Sequence, residues 1–144
     1  MEVYDLDPAA TSKLENISTR GFVDTEDNLM IAGIMVGPTG ATNSDFLVRA
    51  IGPSLSNFGI QNPLGDPILE LHDGSGTTIA MNDNWKVRPD GSSQQAEIEA
   101  TGIPPTNDLE SALLQTLPSG NYTAIVRGTN GTIGVGLVGV YNPP

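Results

Sequence analysis

The chain has no cysteine, which excludes a disulfide framework and any thiolate-held metal. Bases are few: 6 Lys and Arg stand against 17 Asp and Glu, a formal charge of −11. Nucleic acid and anionic membrane both require a basic face, so neither is expected as a partner. No apolar run approaches the ~20 residues of a bilayer-crossing helix, so membrane insertion is not expected. The residues after Met1, Glu-Val-Tyr-Asp-Leu-Asp, carry none of the features of a signal peptide. Aromatics are scarce, with 1 Trp, 3 Tyr and 3 Phe, so a core must come from Val, Ile, Leu and Ala. Histidine occurs once, at His72. Nothing in the sequence ties it to a nucleophile, so no Ser-His-Asp set is indicated. Gly52-Pro53-Ser54 is not a nucleophile elbow. Catalysis is not expected.

What the chain does hold is punctuation: 17 Gly and 11 Pro in 144 residues, a share that fits short strands and turns better than long helices. The length suits one domain over residues 1–144 with a core of its own. Met1–Asp7 reads as a strand stopped by Pro8, and Ala9–Leu14 as one helical turn. Ile17–Val23 reads as a strand. Leu29–Val36 (LMIAGIMV) is nearly all apolar and predicts a strand buried on both faces or in a sandwich core. Phe46–Ile51 is a further strand. Gln94–Ala100 is the best helix candidate, at about two turns. Glu110–Leu117 is read as a strand, and Tyr122–Arg127 alternates as a half-buried strand should. Thr129-Asn130-Gly131 reads as a hairpin turn into the last strand, Thr132–Tyr141. Eight or nine short strands at this spacing predict an all-β fold, an antiparallel β-sandwich or jelly roll.

The chain is organised around Pro67–Trp85. Two strands flank Asp73-Gly74-Ser75-Gly76, a turn whose glycines are free to take positive φ. The second strand runs into Asn82-Asp83-Asn84. Hard cations take carboxylate and carbonyl oxygen, so Asp73, Asn82, Asp83, Asn84, Asp108 and Glu110 are the candidate ligands for calcium. The alternative is that Asn82–Asn84 hydrogen-bond their own backbone in an Asx-turn. The spacing is not that of an EF-hand. Trp85 is either a platform for a sugar ring or a plug at one end of the sandwich. Arg20, Arg49 and Arg127 fall in predicted strands, where carboxylate or carbonyl partners are expected.

Leu71–Gly74, Ile79–Asp83, Ser111-Ala112-Leu113 and Leu117–Tyr122 follow a pattern that resembles the bacterial pre-peptidase C-terminal (PPC) domain. Asn16–Phe22, Leu47–Leu55, Asn82–Trp85, Thr106–Leu113 and Tyr122–Gly128 together resemble a β-rich repeat of large secreted proteins from environmental bacteria. The resemblance implies an exported, non-catalytic module and adds weight to a calcium site. It also implies an extracellular or cell-surface location.

One feature stands apart from any family. Glu2-Val3-Tyr4-Asp5 echoes Gly139-Val140-Tyr141-Asn142. Residues 1–8 are either a generous domain boundary or a spare strand that adds to the sheet edge of a neighbouring copy. Head-to-tail addition of this kind is open-ended and builds filaments. On that reading Val3, Tyr4 and Leu6 are the donor residues, and Val138, Val140 and Tyr141 lie at the acceptor. The expectation is a structural or adhesion module that forms homo-oligomers through edge strands. The alternative is a calcium-stabilised module that binds polysaccharide, or an accessory domain of a secreted hydrolase.

Overall fold

The computed structural model describes residues 16–25, 29–36 and 44–142. The strand and helical turn expected before residue 16, and the donor residues Val3, Tyr4 and Leu6, lie outside the described residues. Within them the chain forms eight strands and one short helix: β1 Asn16–Val23, β2 Met30–Val36, β3 Ser44–Ile51, β4 Pro67–His72, β5 Thr78–Asn82, α1 Gln95–Glu99, β6 Ser111–Leu117, β7 Gly120–Gly128 and β8 Gly134–Tyr141. They make two four-stranded sheets, ordered β1-β8-β3-β6 and β2-β7-β4-β5. Every neighbouring pair is antiparallel. This is the strand order of a jelly roll, as the spacing of short strands predicts.

Alternation builds the layers. In β4, Pro67, Leu69 and Leu71 are buried while Ile68, Glu70 and His72 are only partly so, because successive side chains leave a strand on opposite faces. In β7, Tyr122, Ala124 and Val126 face in by the same rule. The core between the sheets gathers Val23, Val48, Leu64, Leu69, Leu71, Leu113, Val126 and Val138 around them. Each buried aliphatic side chain of this size contributes about 1.5–3 kcal/mol. A second, smaller cluster of Leu47, Trp85, Ile98 and Ala112 seals the outer side of β3 and β6, with α1 laid across it.

Two sequence expectations change. Thr129–Gly131 is a 3-10 turn, not a hairpin, because β7 and β8 belong to different sheets. Gly128 permits that crossing: a Cβ there would stand 2.0 Å from the Thr132 carbonyl oxygen. The all-apolar run at β2 is not a central strand. Among the described residues it lies at the edge of its sheet, paired with β7 on one side, with a strict in–out pattern that exposes Ile31, Gly33 and Met35. Period-2 burial is hidden in the sequence because both faces carry apolar residues.

Candidate functional site

Polar side chains buried in an apolar sandwich are where chemistry would be expected. Among the described residues five are buried: Ser54, Asn82, Gln94, Glu110 and Ser111. All but Ser54 lie from the end of β5 to the start of β6, and each is engaged with the chain itself. Glu110, fully buried, accepts from the Gly52 and Ser54 backbone N–H groups at 3.2 and 2.8 Å. It also accepts from the Ser54 hydroxyl and, through Oε2, from Asn107 N–H at 3.3 Å. Asn82 donates to Val87 O at 2.9 Å and accepts from Ala112 N–H at 3.1 Å. Gln94 donates to the carbonyls of Trp85 and Ala112. The Ser111 hydroxyl lies against the carbonyls of Pro67 and Asp83. An irregular loop cannot satisfy its own backbone, so these side chains take the place of a ladder. They hold segment 82–110 onto the edge of β6.

The six candidate calcium ligands do not form one shell. Asp73 stands at the β4–β5 turn, where its Oδ1 accepts from Ser75 N–H, Ser75 Oγ and Thr77 N–H at 3.0, 2.7 and 3.0 Å. The Ser75 hydroxyl first, and then the Thr77 N–H, hold this carboxyl below its ordinary range. Asn82, Asp83 and Asn84 are at the opposite end of β5. Asp108 pairs with Lys86 at 2.7 Å, and both oxygens of Glu110 are occupied as above. Among the described residues, no three His, Asp or Glu side chains converge as metal ligands.

Asp83 instead meets Asp66, a residue the sequence reading passed over. Burial first, and then the Asp83 charge, push the Asp66 carboxyl above its ordinary range, opposed by a hydrogen bond from Thr129. Its Oδ1 is enclosed without a hydrogen-bond partner. The hairpin register carried the signal: Leu69 lies opposite Asn82, so residues flanking the hairpin near 66 and 83 must close on each other.

Trp85 does not offer a platform for a sugar. Its ring is 4% exposed, packed among Leu47, Ile98 and Ala112 with Lys86 Nζ 5.5 Å from its centroid. The arginines divide. Arg127 donates to Glu70 Oε1 at 2.9 Å. Arg49 donates to Ile103 O at 3.0 Å and to the Tyr141 hydroxyl at 2.6 Å, its guanidinium 4.6 Å from the Tyr141 ring centroid. Arg20 is exposed on β1.

His72 sits on the outer face of β4. Its Nδ1 faces Gly76 O at 3.2 Å, while Nε2 lies 3.5 Å from Thr78 Oγ1 and 3.7 Å from Glu70 Oε2. A hydrolytic triad uses one ring nitrogen for the nucleophile and the other for the carboxylate. Here both would share Nε2, so the group is no proton relay. A cleft of about 340 Å³ lies at one end of the sandwich between Asp24, Thr25, Ile68, Arg127, Asn130 and Thr132; the Asp24 carboxylate there accepts from the Thr25 backbone N–H at 2.7 Å.

The expected acceptor at Val138–Tyr141 is corrected by topology. These residues belong to β8, which is paired on one side with β1 and on the other with β3. Val138 and Val140 are buried. An interior strand has no free ladder to receive another chain.

No family model matches the sequence, and no curated protein matches it. A search of solved structures finds the crystal structure of the pre-peptidase C-terminal domain of a collagenase from Bacillus anthracis. The two share 13% identity, with a TM-score of 0.52 over 88% of this chain and 89% of that one. The chain is thus similar in fold to a PPC domain, as the pattern at Leu71–Gly74 and Leu117–Tyr122 implies.

Proposed function

We propose that this chain is a non-catalytic structural module of extracellular type, whose copies associate through the edges of their sheets. The observation that carries the reading is β2, an edge strand with no charge, no proline and no bulge, a form that unassociated sandwiches usually avoid. The buried polar side chains support it from the other side, since they fix loops rather than converge on a ligand. The likeness of fold to a domain of a collagenase fits an accessory part in a secreted protein. Filament assembly is the strand-donating form of the proposal: Val3, Tyr4 and Leu6 of one copy would add to a free edge of the next. β8 is closed to such a donor, whereas β1 and β2 each leave one side open among the described residues. The carbohydrate-binding alternative loses its platform with the burial of Trp85 and its calcium shell with the dispersal of the six ligands.

Light scattering on a size-exclusion column, with the full chain and one lacking Met1–Asp7, tests the reading. Large species that collapse to monomers on truncation support donation. Association that survives truncation supports pairing between edges already in the fold. Monomers in both chains, at every concentration, overturn self-association.

A further inference from the structure

A sandwich of two open sheets has four edge strands: among the described residues these are β1, β2, β5 and β6. Three of the four are guarded. β1 carries Arg20. β5 has five residues and meets β4 through an irregularity at Leu71/His72. β6 is covered at Ala112, whose N–H is taken by Asn82 and whose carbonyl is taken by Gln94. Short length, charge, bulges and loop cover are the devices that stop edges from pairing. β2 has no charge and no bulge, and no loop among the described residues covers it. Its seven residues pair with β7 in unbroken register from Met30↔Val126 to Val36↔Gly120. No described residue makes a hydrogen bond to its outer side.

Resting on the reading that copies associate through sheet edges, we propose that β2 pairs antiparallel with β2 of a second copy, about a two-fold axis through Gly33. Charge limits where two copies can touch. At −11, two copies repel each other, and close contact is least opposed where neither presents an ionisable group. β2 (MIAGIMV) is such a stretch. The donor-strand alternative, Glu2–Asp7, would bring three acids to the same edge.

The register is self-complementary. Centring the pair on Gly33 sets Ile31 opposite Met35, Ala32 opposite Ile34 and Met30 opposite Val36. Ile31 and Met35 are 56% and 59% exposed on the outer face. Across the new pair each would meet the other type, which places apolar side chains directly opposite on one face. Gly33 shares that face, and a Cβ built on it has nothing within 4 Å. Two glycines at the axis leave room for the four flanking side chains to close over the join. A two-fold contact uses the same patch on both copies and is closed, so this edge makes dimers and the two sheets become one of eight strands.

The absence of native cysteine makes the test direct. Gly33→Cys introduces a single thiol. Antiparallel pairing centred there sets the two Cα atoms about 4.5–5.5 Å apart, inside the disulfide range of about 4.4–6.8 Å. Ile31→Cys, two residues off the axis, lies about 13 Å from its counterpart at ~3.3 Å per residue. Mild oxidation of the full chain should yield covalent dimers from Gly33→Cys and monomers from Ile31→Cys. Gly33→Glu, entering open space, should keep the melting temperature of the monomer and weaken the dimer by at least about tenfold, because like charges would meet at the axis. Equal cross-linking of the two cysteine variants, or a dimer mass unchanged by Gly33→Glu, overturns the β2 pair. Association lost on removing Met1–Asp7, with the thiol at 33 unlinked, assigns the edge to the N-terminal segment of another copy and also overturns it. A chain monomeric throughout refutes the broader reading as well. A chain that associates without the cysteine pattern refutes this pairing alone.

Discussion

Replacing Glu110 with alanine should cost about 3–5 kcal/mol of folding stability. Glu110 is fully buried and serves four donors: the N–H groups of Gly52, Ser54 and Asn107 and the Ser54 hydroxyl. Alanine removes the acceptor and leaves the donors in place. An unsatisfied buried donor costs about 1–3 kcal/mol, and water entering the space vacated would recover part of the total for four. Against a domain stability of about 5–15 kcal/mol, the loss is severe, and at ~2–4 °C per kcal/mol it corresponds to a fall of about 6–20 °C in melting temperature. Glu110→Gln keeps one oxygen for Gly52 and Ser54 but turns an amide toward the Asn107 N–H. It should cost less, about 1–2 kcal/mol. Urea unfolding followed by Trp85 fluorescence measures both, with the midpoint falling at unchanged slope. A Glu110→Ala cost below about 1 kcal/mol would refute the view that this carboxylate ties the loop after β3 to the loop before β6.

Other perturbations have defined signs. Asp66→Asn should stabilise the protein at neutral pH, because burial and Asp83 raise the Asp66 carboxyl above its ordinary range and its ionised form opposes folding there. The gain should vanish as pH falls through the raised value and below the ordinary one, which melting curves across the acid range would show. Gly128→Ala should destabilise strongly, since the added Cβ would meet Thr132 O at 2.0 Å, while Gly33→Ala should be neutral or stabilising by about 0.5–1 kcal/mol; thermal melts of the pair compare them. Removing the exposed Lys86–Asp108 ion pair should change stability by less than about 1 kcal/mol in a double-mutant cycle. Adding a chelator should leave the melting temperature unchanged, and a drop would revive calcium as part of the fold.

The hairpin at Pro67–Asn82 and the alternation in Tyr122–Arg127 were legible because they follow from local rules: glycine at a tight turn and burial of every second side chain. The edge position of β2 was not, because Met30–Val36 is apolar on both faces and periodicity separates strands only when one face is polar. The crossing at Thr129–Gly131 looked like a hairpin because turn chemistry is the same whether the chain returns to its own sheet or passes to the other. Glu110 and Asn82 were named in the sequence only as candidate calcium ligands, whereas the structure engages both with backbone groups. Their purpose was hidden: a buried carboxylate that receives backbone N–H groups from two loops reads, in sequence, like one more acid in an acidic chain. Asp66 was missed for the same reason, although the hairpin register points to its meeting with Asp83.

The central claim, that copies of this module join through the edge of β2, is tested most directly by backbone amide hydrogen exchange in Met30–Val36 as protein concentration is raised. The account predicts that outward-facing amides of β2 exchange freely when dilute and become protected as copies pair, while β8, already paired on both sides, does not change. Exchange in β2 that is the same at every concentration would contradict it.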